Sequence, residues 1–465
     1  MREATPLILA ASEHIHNTVT QVPAENVHYI NGVHGFGRSV GPFPLSFFEK
    51  RFMKLRARPP PVAIPVPDDM FSGVLVTPER EMQRKWFKAV NDVGVFTLFE
   101  LRKCSESIDP VSEIRLRPDL VLYCLLKVPT PLAFRWADME ILFEFKVEDL
   151  SDPHLVDAVL QNPETMPESD RNRASRKARG QITTYLGAQL SRQPNRVFAF
   201  ALGLYGKHAR AYLGDPSGLS FSEIIKYLER PADLIDFLRR YEQLSKEQRG
   251  LDPSVTTPTS QERGLFTKAL NQFAQLASEG DVHRLPCMTI EELEGTQRYK
   301  VPIRDDKTKQ TYHYIICKPL CHAVSPFGLF RQMYPTLRLD SSASCGASND
   351  DEPNKPQILG KLFLMGDMWR YSAGPALSEM EVFKELNGLG VPHLAPLLFG
   401  GDVRLKNRKV QKTVIHELAR KEYAKNPEGA TGFHCLDELT HYHFVQGLAY
   451  PLSSCRSAQE LVQVI

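Results

Sequence analysis

No Cys-x-x-Cys pair occurs anywhere in the 465 residues, and the eight cysteines are scattered. That spacing argues against a zinc ribbon or a disulfide scaffold, and for a reducing intracellular compartment, cytoplasm or nucleus. No apolar run approaches the roughly 18 residues that a membrane span requires. The opening MREATPLILAASEH holds an apolar stretch too short for a secretory signal and lacks a cleavage pattern, so no membrane partner is expected. An excess of one charge is missing as well. Lys and Arg number 57 against 55 Asp and Glu, a net charge of +2, so any electrostatic footprint for a nucleic acid must be local. Internal repeats are absent.

What is there has an ordinary globular composition, 42% apolar and 24% charged, in a chain long enough for two or three domains with cores of their own. Residues 1–75 read as irregular, and ARPPPVAIPVP at 57–67 predicts an extended, polyproline-like connector. Order is expected to begin with TPEREMQRKWFKAVNDVG at 77–94, where Thr77 can cap, Pro78 fits the first helical position and Gly94 stops the helix. Strand-like runs follow at 95–101, 119–126 and 139–147. A helix is predicted over about 174–190, then a hairpin turning at Gly206 and Lys207. Residues 223–244 read as a helix interrupted at Pro231, and a further helix runs to about Ala277. Strands return from about Tyr299, and SSASCGASNDDEPNKP at 341–356 reads as a mobile polar loop. HYIICKPLCH at 313–322 gathers two His and two Cys, but its β-rich core reads as a strand entering a turn at Pro319 rather than as a metal site.

One strand carries a charge pattern that asks for an explanation. In EILFEFKVED at 140–149 the odd positions Ile141, Phe143, Phe145 and Val147 are apolar, while Glu144, Lys146 and Glu148 share the other register. Asp119 opens the preceding strand, which a hairpin would bring alongside. Two carboxylates converging across adjacent strands can hold Mg²⁺, which accepts few protein oxygens and keeps its waters. A neighbouring lysine can then stabilise charge developing on a phosphate. A plainer arrangement uses the same residues: the wet face of an edge strand, with Glu144 and Lys146 as a surface ion pair contributing at most ~1 kcal/mol. A second acid-acid-lysine triplet, Asp305-Asp306-Lys307, sits in an evident loop.

Pro-Asp followed on the next strand by Glu-x-Lys resembles the PD-(D/E)xK nuclease superfamily, whose core also runs helix, three strands, helix, strand. GQITTYLGAQL supplies Gln181 and Tyr185 four residues apart on one helical face, similar to the Q-x-x-x-Y of the RecB-like branch. The resemblance implies a site of Asp119, Glu144, Lys146 and Gln181, with Mg²⁺ on Asp119 and Glu144. It also implies an acidic residue from the first helix, for which Glu81 is the nearest match. RNRASRKAR at 171–179, with five basic residues in nine, offers DNA or RNA phosphates a place beside that metal.

The latter half carries a different likeness. RYEQLSKEQRGLDPSV (240–255), YHYIICKPLCHAVSPFG (312–328), the stretch 367–403 and HYHFVQGLAYPLSSCRSAQELVQVI (441–465) resemble the fungal-type protein kinase family, with coverage from about residue 75 onward. A kinase needs a glycine-rich phosphate loop, a strand lysine paired to a helix glutamate, a catalytic-loop Asp and Asn, and an Asp-Phe-Gly. Here Gly366 stands where the family's strand lysine is expected, and Glu379 is the counterpart of the helix glutamate. After SPFG the chain continues LFRQMYPTLRL in place of further glycines, and no His-Arg-Asp or Asp-Phe-Gly occurs up to Ile465. The family's ATP is therefore not expected to bind productively, and phosphate transfer is not expected.

The expected fold is α/β (α+β): an irregular segment over 1–75, a restriction-endonuclease-like mixed sheet over 76–256, a helical connector over 257–296, and an incomplete kinase small lobe with hinge over 297–465. The base of that lobe, near Leu448–Pro451 and ELVQVI, is expected to need a protein partner. A scaffold lacking both activities is the remaining alternative.

Overall fold

The computed structural model describes residue 31 and residues 37–54, 65–75, 77–104, 116–125, 135–154, 170–279, 296–320, 326–339, 362–372, 379–391, 396–425 and 436–448. In chain order the elements are β1 (Ser39–Phe43), α1 (Leu45–Phe52), α2 (Glu79–Val93), β2 (Phe99–Lys103), β3 (Leu120–Cys124), β4 (Met139–Lys146), α3 (Asp170–Arg192), β5 (Ala199–Tyr205), β6 (His208–Asp215), β7 (Gly218–Ser222) and α4 (Pro231–Glu242). They continue with α5 (Ser260–Glu279), β8 (Tyr299–Arg304), β9 (Thr311–Ile316), β10 (Gln332–Arg338), β11 (Leu362–Tyr371), α6 (Glu379–Gly388), β12 (Leu397–Asp402), α7 (Ile415–Lys425) and β13 (Leu439–Gln446). Among the described residues no helix is long and apolar enough to cross a membrane.

Two units form. The first takes the chain to Asp252, with Val324–Gly328 and Thr413–Glu438. Its seven-stranded sheet has the order β1-β7-β6-β5-β4-β3-β2. Strands β2, β3 and β4 are an antiparallel meander; β4 then crosses through α3 to run parallel to β5. Helix, three strands, helix, strand is the element order read from the sequence. The hairpin β5–β6 turns at Gly206 and Lys207 as expected, with Gly206 at φ +53°, a conformation glycine takes without strain.

The pattern of α2 fixes how it lies. Met82, Trp86 and Val90 recur every four residues and are buried. Trp86 meets the rings of Phe143 and Phe145 at 5.4 and 5.5 Å, so α2 covers the odd-numbered face of β4. Gly94, at φ +67°, ends the helix, and its N–H bonds Asn91 and Val90. Thr77 does not cap: Pro78, in extended conformation, holds the cap position and leaves Thr77 outside.

Strand β4 is central, flanked by β3 and β5, and is buried on both faces. The edge-strand reading of Glu144 and Lys146 is thereby corrected. Helix α3 closes the even-numbered face, and from Ala178 to Ser191 only Gln181 escapes full burial. Polar side chains tie it down: Gln189 Nε2 donates to the carbonyls of Met139 and Glu140, and Gln193 Nε2 to those of Trp136 and Met139.

Four other expectations change. Residues 39–52 are not irregular: β1 pairs with β7, and Phe43 and Phe48 enter the core. Prolines 42 and 44 break up the pattern there. The second strand begins at Phe99 rather than at residue 95. Pro231 starts α4 instead of interrupting a longer helix, since a first-turn proline loses no hydrogen bond. Residues 413–425 and 436–438 belong to the first unit, where buried Asp215 accepts the N–H groups of Val414 and Ile415 and so caps α7.

The second unit has a six-stranded antiparallel sheet, order β12-β13-β11-β10-β9-β8. Helix α5 is part of it rather than a connector. Its stripe of Phe266, Ala269, Leu270 and Phe273 packs on Ile315, Leu337 and Leu362. On the sheet, Met380 of α6 meets Met368, Tyr442 and Phe444. Residues 341–356 and the lobe base beyond Leu448, both singled out in the sequence, lie outside the described residues.

Candidate functional site: a carboxylate–lysine centre at the end of β4

Asp119 immediately precedes Leu120, which pairs with Phe143, so it comes beside Glu144 on the neighbouring strand. Its position is fixed by backbone contacts on both sides. The Asp119 N–H donates to Phe143 O at 3.2 Å, and the Phe145 N–H donates to Asp119 Oδ2 at 2.8 Å. Glu144 and Lys146 are two residues apart and point the same way. Lys146 Nζ lies 2.6 Å from Glu144 Oε1 and 2.7 Å from Phe145 O. A third carboxylate arrives from α2, with Glu79 Oε2 3.5 Å from Lys146 Nζ. The Glu144 side chain is 2% exposed, Lys146 19% and Glu79 39%. The centre thus opens to solvent on the side of its ammonium and of Glu79.

Three acids and one base in this volume cannot all be ionised at little cost. Burial pushes the Asp119 carboxyl well up, and the nearby Glu144 carboxylate adds to it. Burial also raises Glu144, which is close enough to Asp119 for the two carboxyls to share a hydrogen bond. Burial alone would lower Lys146, but Glu144, Asp119 and Glu79 outweigh it and hold the amine as an ammonium. Glu144 Oε2 is buried and accepts from no fixed donor among the described residues, so a proton shared with Asp119 or a cation is what can satisfy it. Gln181 Oε1 is likewise buried and accepts from no fixed donor among the described residues, while the Gln181 side chain hydrogen-bonds Tyr185. The Tyr185 hydroxyl donates to Arg117 O at 3.0 Å and feels the charges of Glu144 and Asp119. Gln181 therefore joins the centre through Tyr185.

Asp119, Glu144 and Lys146 come together, and Gln181 borders them. Glu81 does not. It pairs with Arg84 at 2.6 Å on the outer side of α2. Helical spacing gives the reason: Met82 faces the sheet, Glu79 lies three residues before it on the same face, and Glu81 is turned about 100° away. The buried positions 82, 86 and 90 carried that signal. The basic run at 171–179 is only in part available. Arg173 and Lys177 are exposed and Arg176 half-buried, whereas Arg179 is buried and donates from Nη2 to Pro153 O at 2.6 Å.

In the second unit Gly366 lies in β11, paired with Phe444 of β13. A Cβ added there would come 2.1 Å from the Phe444 ring, so no side chain fits without moving it. Glu379 is the first residue of α6.

A profile of the family described as "Fungal protein kinase" matches residues 145–324, which supports kinship with that family. The match takes in Lys146 and Gln181 but not Asp119, Glu144, Gly366 or Glu379. Neither the curated proteins nor the solved structures contain a match to this chain.

Proposed function

We propose that this relative of the fungal protein kinases carries its chemistry in the first unit, as a metal-dependent phosphodiester-cleaving centre of the PD-(D/E)xK kind. The observation that carries the reading is that Asp119 and Glu144 lie on adjacent strands, with Lys146 Nζ 2.6 Å from Glu144 Oε1 and 3.5 Å from Glu79 Oε2, while the other Glu144 oxygen, Oε2, is buried and accepts from no fixed donor among the described residues. A carboxyl pair pushed upward by burial holds a shared proton, and a cation can take that proton's place between the same oxygens. Asp119 and Glu144 would hold Mg²⁺, which when bound polarises a phosphoryl oxygen and lowers the pKa of a water. Lys146, kept as an ammonium, serves as a charge stabiliser rather than as a base, and Glu144 and Phe145 O orient it. Glu79 anchors the same ammonium from the solvent side. Arg173, Arg176 and Lys177 are suited to nucleic-acid phosphates.

The test uses fluorescent single-stranded and duplex DNA and RNA with Mg²⁺ or Mn²⁺, and the full-length chain. Cation-dependent cleavage is expected, lost on Lys146→Ala and on Asp119→Asn. Absence of cleavage of all four, together with no calorimetric Mg²⁺ binding, would overturn the reading.

A second reading concerns the other unit: it takes no catalytic part in phosphoryl transfer. Its support is Gly366, where the pairing with Phe444 leaves no space for the lysine that would hold ATP phosphates. ATP-dependent radiolabel transfer to the chain itself or to a generic protein substrate should not exceed the no-enzyme control.

A further inference from the structure

Three metal-ligating side chains meet inside the second unit, on strands far apart in sequence. His441 and His443 alternate on β13 and so share a face, and Asp367 of β11 is paired directly with His443. They are 7% (Asp367), 4% and 4% exposed. Asp367 Oδ1 lies 2.7 Å from His441 Nε2 and 3.7 Å from His443 Nε2. One ligand atom from each residue falls within 4.8 Å of the others. Met365 and Val445, in the same register, belong to the apolar core, so three polar groups stand where a sheet normally buries hydrocarbon.

The His441 ring is held by polar partners at both nitrogens and by a ring stack. Its Nδ1 faces the side-chain oxygen of Gln411. Gln411 is held in place by its backbone, whose N–H donates to Val403 O and whose carbonyl accepts from the His441 N–H. The Trp369 indole stacks on the His441 ring at 4.6 Å and 6°, which fixes the ring plane. A neutral imidazole that donates from Nδ1 has a lone pair at Nε2. In His441 the Nε2 faces Asp367 Oδ1 at 2.7 Å, so with Nδ1 turned to Gln411 that lone pair and the carboxylate oxygen are placed to share a cation. His443 Nε2 is directed at the same oxygen.

We propose that Asp367, His441 and His443 form a site for one borderline divalent cation, zinc first, which pins β11 to β13. Two imidazoles and one carboxylate are a donor set that zinc accepts and that magnesium, which prefers oxygen, does not. Gln411 then plays the outer part usual for metal-bound histidines, accepting the remaining N–H and fixing the tautomer. The site is independent of the carboxylate–lysine centre in the first unit.

The experiment takes the full-length chain, purified without a polyhistidine tag. Metal content is measured by mass spectrometry, and after chelator treatment Co²⁺ is titrated while visible absorption is recorded. One zinc per chain, or one Co²⁺ giving a d–d band that Zn²⁺ abolishes, is the expected result, together with a raised melting temperature. Asp119→Asn should leave the band intact, whereas Asp367→Asn with His443→Gln should remove it. Should that double variant not fold, X-ray absorption on the zinc-loaded wild type decides: imidazole nitrogens with oxygen are expected, and a shell of oxygen alone would overturn the proposal. A folded, chelator-treated chain that takes up neither ion, or a band that survives the double substitution, would overturn it too.

Discussion

Glu79 Oε2 stands 3.5 Å from Lys146 Nζ, so the first residue of α2 and the last residue of β4 meet at one ammonium. Glu81, two residues along, forms an exposed pair with Arg84 instead. Two substitutions of the same chemistry should therefore separate. Glu79→Gln is expected to weaken cation-dependent cleavage by roughly 10–100-fold, the usual effect of removing a group that orients a site residue. Glu81→Gln should leave both cleavage and melting temperature essentially unchanged, because its pair with Arg84 is exposed to solvent. Equal losses in the two variants would mean that α2 contributes only its fold.

The raised carboxyls give a pH dependence of definite sign. Asp119 and Glu144 hold protons more tightly folded than unfolded. Their contribution to stability is fully present below the unfolded carboxyl values near 4 and is lost as pH rises through the folded ones. Without divalent cations, wild-type melting temperature minus that of Asp119→Asn should thus fall as pH rises from about 4 to 8. In the proposed function Mg²⁺ would take the place of the shared proton, so its stabilising effect should grow over the same range. A difference that rises with pH, or that ignores Mg²⁺, would refute this coupling.

Much of this centre could be read from the chain because it is local. The alternation in 140–149, the aspartate opening the preceding strand and the Gln181–Tyr185 spacing can each be read within its own short stretch of chain. What was not legible depended on distant pairings. That Glu144 faces a helix and not water follows from β5 taking its place beside β4, which the odd/even pattern of a single strand does not encode. Choosing Glu79 over Glu81 needed the sheet-facing side of α2. Asp215 and its partners at 414–415 are about 200 residues apart, so nothing near either signals that α7 returns to the first unit. His441 and His443 stand two residues apart in HYHFV, yet Asp367 lies 74 residues from His441.

Gly366 offers a test of the second unit. A Cβ at this position would come 2.1 Å from the Phe444 ring, in a strand paired on both sides. Gly366→Ala is expected to cost about 1–3 kcal/mol through overpacking, as measured by urea unfolding. Gly366→Lys should cost more and yield no phosphate transfer. Alanine tolerated without loss would show that Phe444 yields easily, and would remove the objection to a lysine there.

The last prediction asks whether Lys146 is tied to its carboxylates as a buried pair or as a screened one. Glu144 is 2% exposed and has Lys146 at 2.6 Å. Removing the ammonium by Lys146→Met leaves that carboxylate buried beside Asp119 with no cation, which should destabilise the fold by about 3 kcal/mol at neutral pH. Neutralising the acid should undo most of this. In Lys146→Met with Glu144→Gln, the amide is uncharged and the methionine stem fills a similar volume, so stability should return to within about 1 kcal/mol of wild type. Cleavage should stay absent in both. A double-mutant cycle from chemical denaturation reads the coupling directly. A Lys146→Met loss below about 1 kcal/mol would mean a pair screened by solvent, and the folded centre would then not hold its charges in the way the distances require.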